Sequence, residues 1–176
     1  MVVNMKLLED CLLKKRTAIL NSWYKLIAET YPDDGSMLLK SKDRFTNPVS
    51  YITSTEIVTI FDELLHGNIE SEKVSDSINN VTRVRAVQDF PPSQAVSFIL
   101  LLKKAIRIVL LKEIQEKSLQ EELLQIDSLI DRMSLMAFDV YTTCRDKICE
   151  LRINELRADR DNAFRILERS GQNRGQ

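Results

Sequence analysis

The sequence predicts an all-α protein, a helical bundle of about five helices with a long projecting C-terminal helix. Glycine is scarce, with four in 176 residues where average usage would give about a dozen. Two of the four lie within the last six residues. Between the few breakers the apolar residues recur at steps of three and four, which is typical of amphipathic helices. The breakers that divide the body of the chain are Pro32, Gly35, Pro48, Gly67, Pro91 and Pro92.

The first helix is predicted over residues 4–30. The pair Tyr31–Pro32 should end it, because a residue before proline is driven out of the helical region. A short turn is expected over residues 36–40. The apolar stripe of the first helix consists of Leu8, Leu12, Ile19, Trp23, Leu26, Ile27 and Thr30.

The second helix should begin at Asn47–Pro48, since asparagine is a good N-cap and proline suits the first helical position. Residues 49–60 are rich in β-branched side chains, so a strand competes with the helix there. Gly67 would supply a C-terminal cap. Helical spacing of the apolar residues that follow favours the helix: Ile57, Ile60, Phe61, Leu64 and Leu65.

The third and fourth helices are predicted over residues 70–88 and from Pro92 to about residue 117. In the third, Val74, Ile78 and Val81 keep helical spacing, and either Val84 or Arg85 continues their stripe. The fourth is apolar nearly all round. A helix of that kind is usually the central one, surrounded by the others.

The fifth helix should begin at Ser118, because Ser118-Leu119-Gln120-Glu121 has the pattern of a capping box. No glycine or proline follows until Gly171, so about 50 residues could form one helix roughly 75 Å long. Heptad-like apolar spacing covers its first half, at Leu123, Ile126, Ile130, Met133, Ala137, Val140 and Cys144. A second seam then follows, broken by Arg160: Cys149, Ile153, Leu156, Ala163 and Leu167.

This change of seam suggests two domains, a helical sensor domain over residues 1–146 and a helical extension with a disordered tail over 147–176. The extension is interpreted as a coiled coil that forms a homodimer or docks a partner. The competing interpretation is a frayed, solvated helix. Two oppositely charged pairs, Arg157 with Asp161 and Asp161 with Arg165, are four residues apart and can support an exposed helix.

Composition excludes several classes of function. The sequence has no glycine-rich loop, so it contains neither of the two common phosphate-binding motifs. Its single histidine excludes a multi-histidine metal site. We therefore expect no enzyme, no cofactor and no metal. The net charge of −1 gives no attraction to nucleic acid, and the most apolar stretch, residues 95–111, carries three cations and should not span a membrane.

The cellular compartment is expected to be the cytoplasm. Three cysteines at unrelated spacings are typical of reduced thiols rather than of a disulfide framework: Cys11, Cys144 and Cys149. Residues 1–10 carry charge within their short apolar run and do not predict a signal peptide.

Three sequence clusters occur in a defined order. The first joins Trp23-Tyr24 to Thr30-Tyr31-Pro32, and the second is Phe45-Thr46-Asn47-Pro48-Val49. The third runs from Ala86 as Ala-Val-Gln-Asp-Phe-Pro-Pro-Ser-Gln-Ala-Val. Together, over about residues 12–113, they resemble the N-terminal domain of RsbRD-type co-antagonists of the stressosome, a bacterial regulatory complex.

The resemblance implies an all-helical sensory or scaffolding module of the bacterial cytoplasm. In stressosome proteins such a module precedes a STAS domain, and since this sequence ends at Gln176 we expect a stand-alone version. Sister stressosome sensors have haem-free globin-like folds, so a globin-like bundle is expected by analogy.

The candidate ligand or partner contacts are Trp23, Tyr31, Asn47, Gln88, Phe90, Ser93 and Gln94. Trp23 and Tyr31 could line a pocket or belong to the core. At the double-proline corner the polar residues could form a recognition loop or the floor of a small-ligand pocket. Alternatively Asp89 or Ser93 caps the central helix.

His66 could be a haem ligand in a globin-like fold, but a histidine favoured by the dipole at a helix C-terminus is the better interpretation. The overall hypothesis is a non-catalytic bacterial sensor or regulator that acts through protein–protein interaction as a homodimer. The alternative is a helical domain that binds a small molecule or cofactor without catalysis.

Overall fold

Most of the chain is helical in the part that the structure, a computed structural model, describes: residues 6–31 and 45–172. No residue in these ranges lies in a strand, so the all-α prediction is confirmed. A short 3-10 helix, Glu113–Gln115, precedes the last α-helix. The α-helices are α1 (Lys6–Lys14), α2 (Arg16–Ala28), α3 (Pro48–Leu65), α4 (Glu72–Val87), α5 (Pro92–Val109) and α6 (Lys117–Gln172). The turn expected over residues 36–40 lies outside the described residues.

The predicted first helix is in fact two helices, α1 and α2. They meet at Lys15, whose backbone (φ −106°, ψ 13°) departs from helical values. The Lys15 ammonium donates to the carbonyl oxygen of Val109 at 3.2 Å and forms an ion pair with Glu113. The apolar stripe runs on across this bend because both helices face the same core, so the periodicity alone does not reveal it.

Helix α3 has the caps that its sequence predicts. The Asn47 side chain accepts a hydrogen bond from the Ser50 backbone N–H at 3.0 Å, and Pro48 is the first helical residue. At the other end Gly67 has φ +68°, and the N–H groups of Gly67 and Asn68 donate to Leu64 and Glu63 respectively. This pattern is a Schellman motif. The helix is confirmed, and the competing strand over residues 49–60 is wrong.

Helix α5 is not surrounded on all sides, contrary to what its nearly continuous apolar surface predicts, because Leu100, Lys104, Arg107 and Ile108 are exposed. It packs along α2 on one side, while α3 packs against α4. Lys103 and Arg107 on its outer part form ion pairs with Asp131 and Asp127 of α6. The buried residues of α5 are Ala95, Phe98, Ile99, Leu102, Ala105 and Ile106.

Helix α6 begins at Lys117, one residue before Ser118, which therefore lies inside the first turn instead of capping it. The residue with extended backbone is Glu116, two positions before Ser118 (ψ 128°). The heptad-like spacing that follows packs into the same core as the other helices. Its buried members are Leu123, Ile126, Ile130, Met133 and Ala137.

The chain divides into two compact units, Met1–Tyr141 and Thr142–Gln176. The first unit holds the hydrophobic core. In the second unit none of residues 142–166 has a buried side chain. The domain boundary at 146/147 stays a prediction. Within the described ranges, no helix combines the length and the apolar character that a membrane span requires.

Candidate functional site

The corner between α4 and α5 has an unusual backbone. Asp89 is a non-glycine residue with φ +58°, a left-handed conformation that aspartate tolerates better than most residues. The N–H of Phe90 donates to the Arg85 carbonyl, and the N–H of Asp89 donates to Ala86, both at 3.2 Å. Pro91 takes the N-cap position of α5 with no side-chain hydrogen bond, so neither Asp89 nor Ser93 caps this helix.

Arg85 is the buried centre of this corner, with 0% of its surface exposed. Its Nη2 donates to the Thr30 hydroxyl at 2.7 Å and to the Gln94 carbonyl oxygen at 3.0 Å. A single guanidinium thereby joins the end of α2, the last turn of α4 and the first turn of α5.

Aromatic rings surround the guanidinium. Its central carbon lies 4.4 Å from the ring centroid of Phe90, 5.2 Å from that of Tyr31 and 5.9 Å from that of Phe98. Tyr31 and Phe90 also meet edge to face at 4.9 Å. Cation–π contacts of this kind contribute about 0.5–2 kcal/mol each when desolvated. Among the described residues no carboxylate forms an ion pair with Arg85.

Several buried polar atoms here make no hydrogen bond. They are Nε and Nη1 of Arg85, the hydroxyl of Tyr31 and the hydroxyl of Thr82. The Tyr31 hydroxyl neighbours the guanidinium, but not in the geometry of a normal hydrogen bond. Burial lowers the pKa of Arg85 and raises the pKa of Tyr31. We call these residues the Arg85 cluster: Thr30, Tyr31, Thr82, Arg85, Phe90 and Phe98.

The raised pKa of Tyr31 predicts a loss of stability at alkaline pH. Burial is its main cause, opposed by the positive charge of Arg85. Above about pH 10 the unfolded chain gives up the phenolic proton, whereas the folded chain keeps it. The stability that neutral Tyr31 contributes is complete below that pH and disappears as the pH rises through the folded pKa.

The Tyr31→Phe variant isolates this effect, since it keeps the ring and removes the titration. The difference in unfolding free energy between wild type and variant should fall as the pH is raised from about 9 to 11. Urea titrations at each pH measure it. A difference that stays constant or grows over that range would contradict the prediction.

The structure brings some of the sequence-predicted site residues together. Tyr31, Phe90 and the carbonyl group of Gln94 surround Arg85. Trp23 is fully buried in the core, and its indole N–H donates to the carbonyl oxygen of Phe98, one of the cluster residues, at 2.6 Å.

The other predicted site residues have different surroundings. Asn47 caps α3, and the side chains of Gln88 and Ser93 are exposed. His66 is exposed at the C-terminal end of α3, where its Nδ1 lies 2.6 Å from the Asp62 carbonyl oxygen. No group of three or more potential metal ligands occurs among the described residues.

Sequence reasoning did not select Arg85 as a site residue, although a signal for it exists. The stripe Val74, Ile78 and Val81 continues four residues later at Arg85. A charged residue in phase with an apolar stripe is a candidate for burial.

The corner is also connected to α6. The hydroxyl of Tyr141 donates to the carbonyl oxygen of Phe90 at 2.7 Å, and Tyr141 is itself buried. Tyr141 is the last residue of the first unit. A buried hydrogen bond therefore joins the corner between α4 and α5 to this part of α6.

These features describe a class of protein: an all-helical domain with a polar cluster at its central corner and a long last helix. A family model for the RsbT co-antagonist protein rsbRD N-terminal domain matches residues 17–156. The chain belongs to this family and is a stressosome-related regulatory domain, which confirms the resemblance of the three sequence clusters. No curated protein and no solved structure matches the chain.

Proposed function

We propose that this protein is a non-catalytic regulator of the bacterial cytoplasm, which acts through protein–protein interaction and forms a homodimer through residues 142–166. The family membership supports a regulatory role. The observation that carries the dimer is the exposure of large apolar side chains along this segment of α6. On or beside the seam these side chains are Ile153, Leu156, Phe164 and Ile166.

A second copy of the chain is the occupant that the spacing favours. Cys149, Ile153, Leu156 and Ala163 follow one another at alternating steps of four, three and seven, which is the seam of a two-stranded coiled coil. Arg160 occupies the position between Leu156 and Ala163. A charged residue at one seam position weakens such a dimer but restricts its register.

Packing against a second copy would stabilise this segment, because none of the side chains of residues 142–166 is buried. The ion pair between Arg160 and Asp161, at 2.8 Å, joins two exposed side chains and so contributes little. Isolated helices are marginal in water, and most helical stability in proteins comes from packing of an apolar face. Pairing of the seam supplies that packing.

Signal transmission would use the contact between Phe90 and Tyr141. A stimulus that shifts the double-proline corner would move the carbonyl oxygen of Phe90, which accepts the hydrogen bond from Tyr141. Tyr141 and the seam belong to the same helix, α6, and we propose that a shift at Tyr141 alters the pairing of the seam. This is a change at one packed contact with a readout elsewhere, as in other regulatory switches.

Light scattering coupled to size exclusion tests the dimer. The full chain should be a dimer, and truncation after Lys147 should make it a monomer, because the whole seam is then missing. Leu156→Glu should also dissociate it. The matched control is Leu151→Glu, because Leu151 is equally exposed (63% against 70%) but lies on the opposite face of the helix from the seam.

Two results would contradict the proposal. One is a monomeric full chain at micromolar concentration, and the other is a dimer that survives both the truncation and Leu156→Glu. Equal dissociation by Leu151→Glu and Leu156→Glu would show that general exposure of apolar surface, and not the seam, holds the copies together.

A further inference from the structure

Among the described residues, no carboxylate pairs with the buried positive charge of Arg85. A guanidinium stays protonated in proteins, and Arg85 is fully buried. A buried charge is unfavourable unless it is paired and hydrogen-bonded. The aromatic rings of Phe90, Tyr31 and Phe98 offset part of this penalty, but they provide no acceptor for the remaining N–H groups.

The cluster also holds buried N–H and O–H groups that have no hydrogen-bond partner in the part of the chain that the structure describes. Nη2 of Arg85 donates hydrogen bonds to the Thr30 hydroxyl and the Gln94 carbonyl oxygen. Nε and Nη1 have no hydrogen-bond partner among the described residues. Within residues 6–31 and 45–172 the hydroxyl of Tyr31 has no hydrogen-bond partner either. Thr82, one turn before Arg85 on α4, adds a fourth buried polar atom without a partner.

We propose that the Arg85 cluster is a binding site for a small organic carboxylate. An ionised carboxylate only accepts hydrogen bonds, at about four lone-pair positions, and so complements a group of unused donors. Its single negative charge matches the single cation of the cluster. A phosphate dianion would leave excess negative charge among apolar groups, which is unfavourable.

The surroundings also indicate the rest of the ligand. Phe90, Phe98 and Tyr31 present aromatic surface around the charge, which suits an apolar or aromatic body attached to the carboxylate. Tyr31 is the partly exposed member of this group, so entry would be from its side. This site goes beyond the proposed regulatory function and does not depend on the dimer.

Thermal unfolding of the full chain at constant ionic strength tests the site, with sodium benzoate as probe and benzamide as its uncharged control. Benzoate at about ten times its Kd should raise Tm by about 3–6 °C, because a ligand that binds only the folded state stabilises it. Benzamide should have no comparable effect. Calorimetric titration then gives the stoichiometry, which should be one benzoate per chain.

Two arginine variants locate the response. Arg85→Met should abolish the benzoate shift, while Arg83→Met, which removes an exposed arginine two residues earlier, should keep it. In carboxylate-free buffer Arg85→Met should be at least as stable as wild type, since it removes an unpaired buried charge. If Arg85→Met does not fold, Tyr31→Phe replaces it and should weaken benzoate binding several-fold.

The proposal fails if benzoate does not shift Tm, if benzamide shifts it equally, or if Arg85→Met responds like wild type.

A further experiment tests whether a carboxylate of the chain itself pairs with Arg85. Asp33 and Asp34 follow Tyr31 in sequence and lie outside the described residues. A benzoate response that appears only in the double variant D33N/D34N would show that an internal carboxylate serves Arg85, and would overturn the proposal.

Discussion

Replacement of Trp23 by alanine is expected to lower the free energy of unfolding by about 3–5 kcal/mol. Trp23 belongs to α2, and its fully buried side chain contacts Phe98 of α5, so its removal leaves a large cavity in the core. The change also deprives the Phe98 carbonyl of the indole N–H donor 2.6 Å away. Urea unfolding followed by far-UV circular dichroism measures the effect, because the variant has no tryptophan left for fluorescence.

Trp23→Phe separates the two contributions. It keeps most of the apolar volume but removes the indole donor. Because the Phe98 carbonyl lies inside α5 and keeps its helical hydrogen bond, this loss should cost only about 0.5–1.5 kcal/mol. All samples must be compared at one protein concentration, since association alters apparent stability. A Trp23→Ala protein within about 1 kcal/mol of wild type would show that the residue lines an adaptable pocket and does not fill the core.

The second large effect is expected for Phe90→Ala, again about 3–5 kcal/mol. The ring is 7% exposed, stacks on the Arg85 guanidinium at 4.4 Å and meets Tyr31 edge to face. Its loss would open a cavity and would also remove the aromatic surface that offsets a buried charge. Urea unfolding at fixed protein concentration is again the measurement.

Two controls make the Phe90 result specific. Phe90→Leu keeps apolar volume without the aromatic face, so it should cost about 1–2 kcal/mol, mostly the cation–π contact. Phe45→Ala removes the same side chain from a position that is 92% exposed and should change stability by less than about 0.5 kcal/mol. Equal losses for Phe90→Leu and Phe90→Ala would mean that the aromatic face, and not the volume, dominates.

The helix ends show how far local chemistry carries a prediction. Asn47 and Gly67 were both expected to cap the second predicted helix, and both do, through bonds that span at most five residues. Such contacts depend only on neighbouring residues, so the sequence contains all that is needed to predict them. Ser118 is the counter-example, because a capping-box pattern is present but the helix begins one residue earlier.

Features that join distant segments could not be predicted in this way. The bend at Lys15 accompanies contacts with Val109 and Glu113, more than ninety residues away. The heptad-like spacing of α6 is equally suited to a coiled coil and to a core-facing helix. Burial of Leu123, Ile126 and Ile130 shows that this part faces its own core.

Fold class, family and the caps at Asn47 and Gly67 were determined by the sequence alone, because apolar periodicity and caps are local and the three clusters are specific as a set. The candidate site was decided only by the tertiary structure. Arg85 becomes its centre because three helices bring Thr30, Gln94 and the aromatic rings around one guanidinium. Periodicity can place an arginine on an inward face, but the cost of burying its charge depends on what the other helices place beside it.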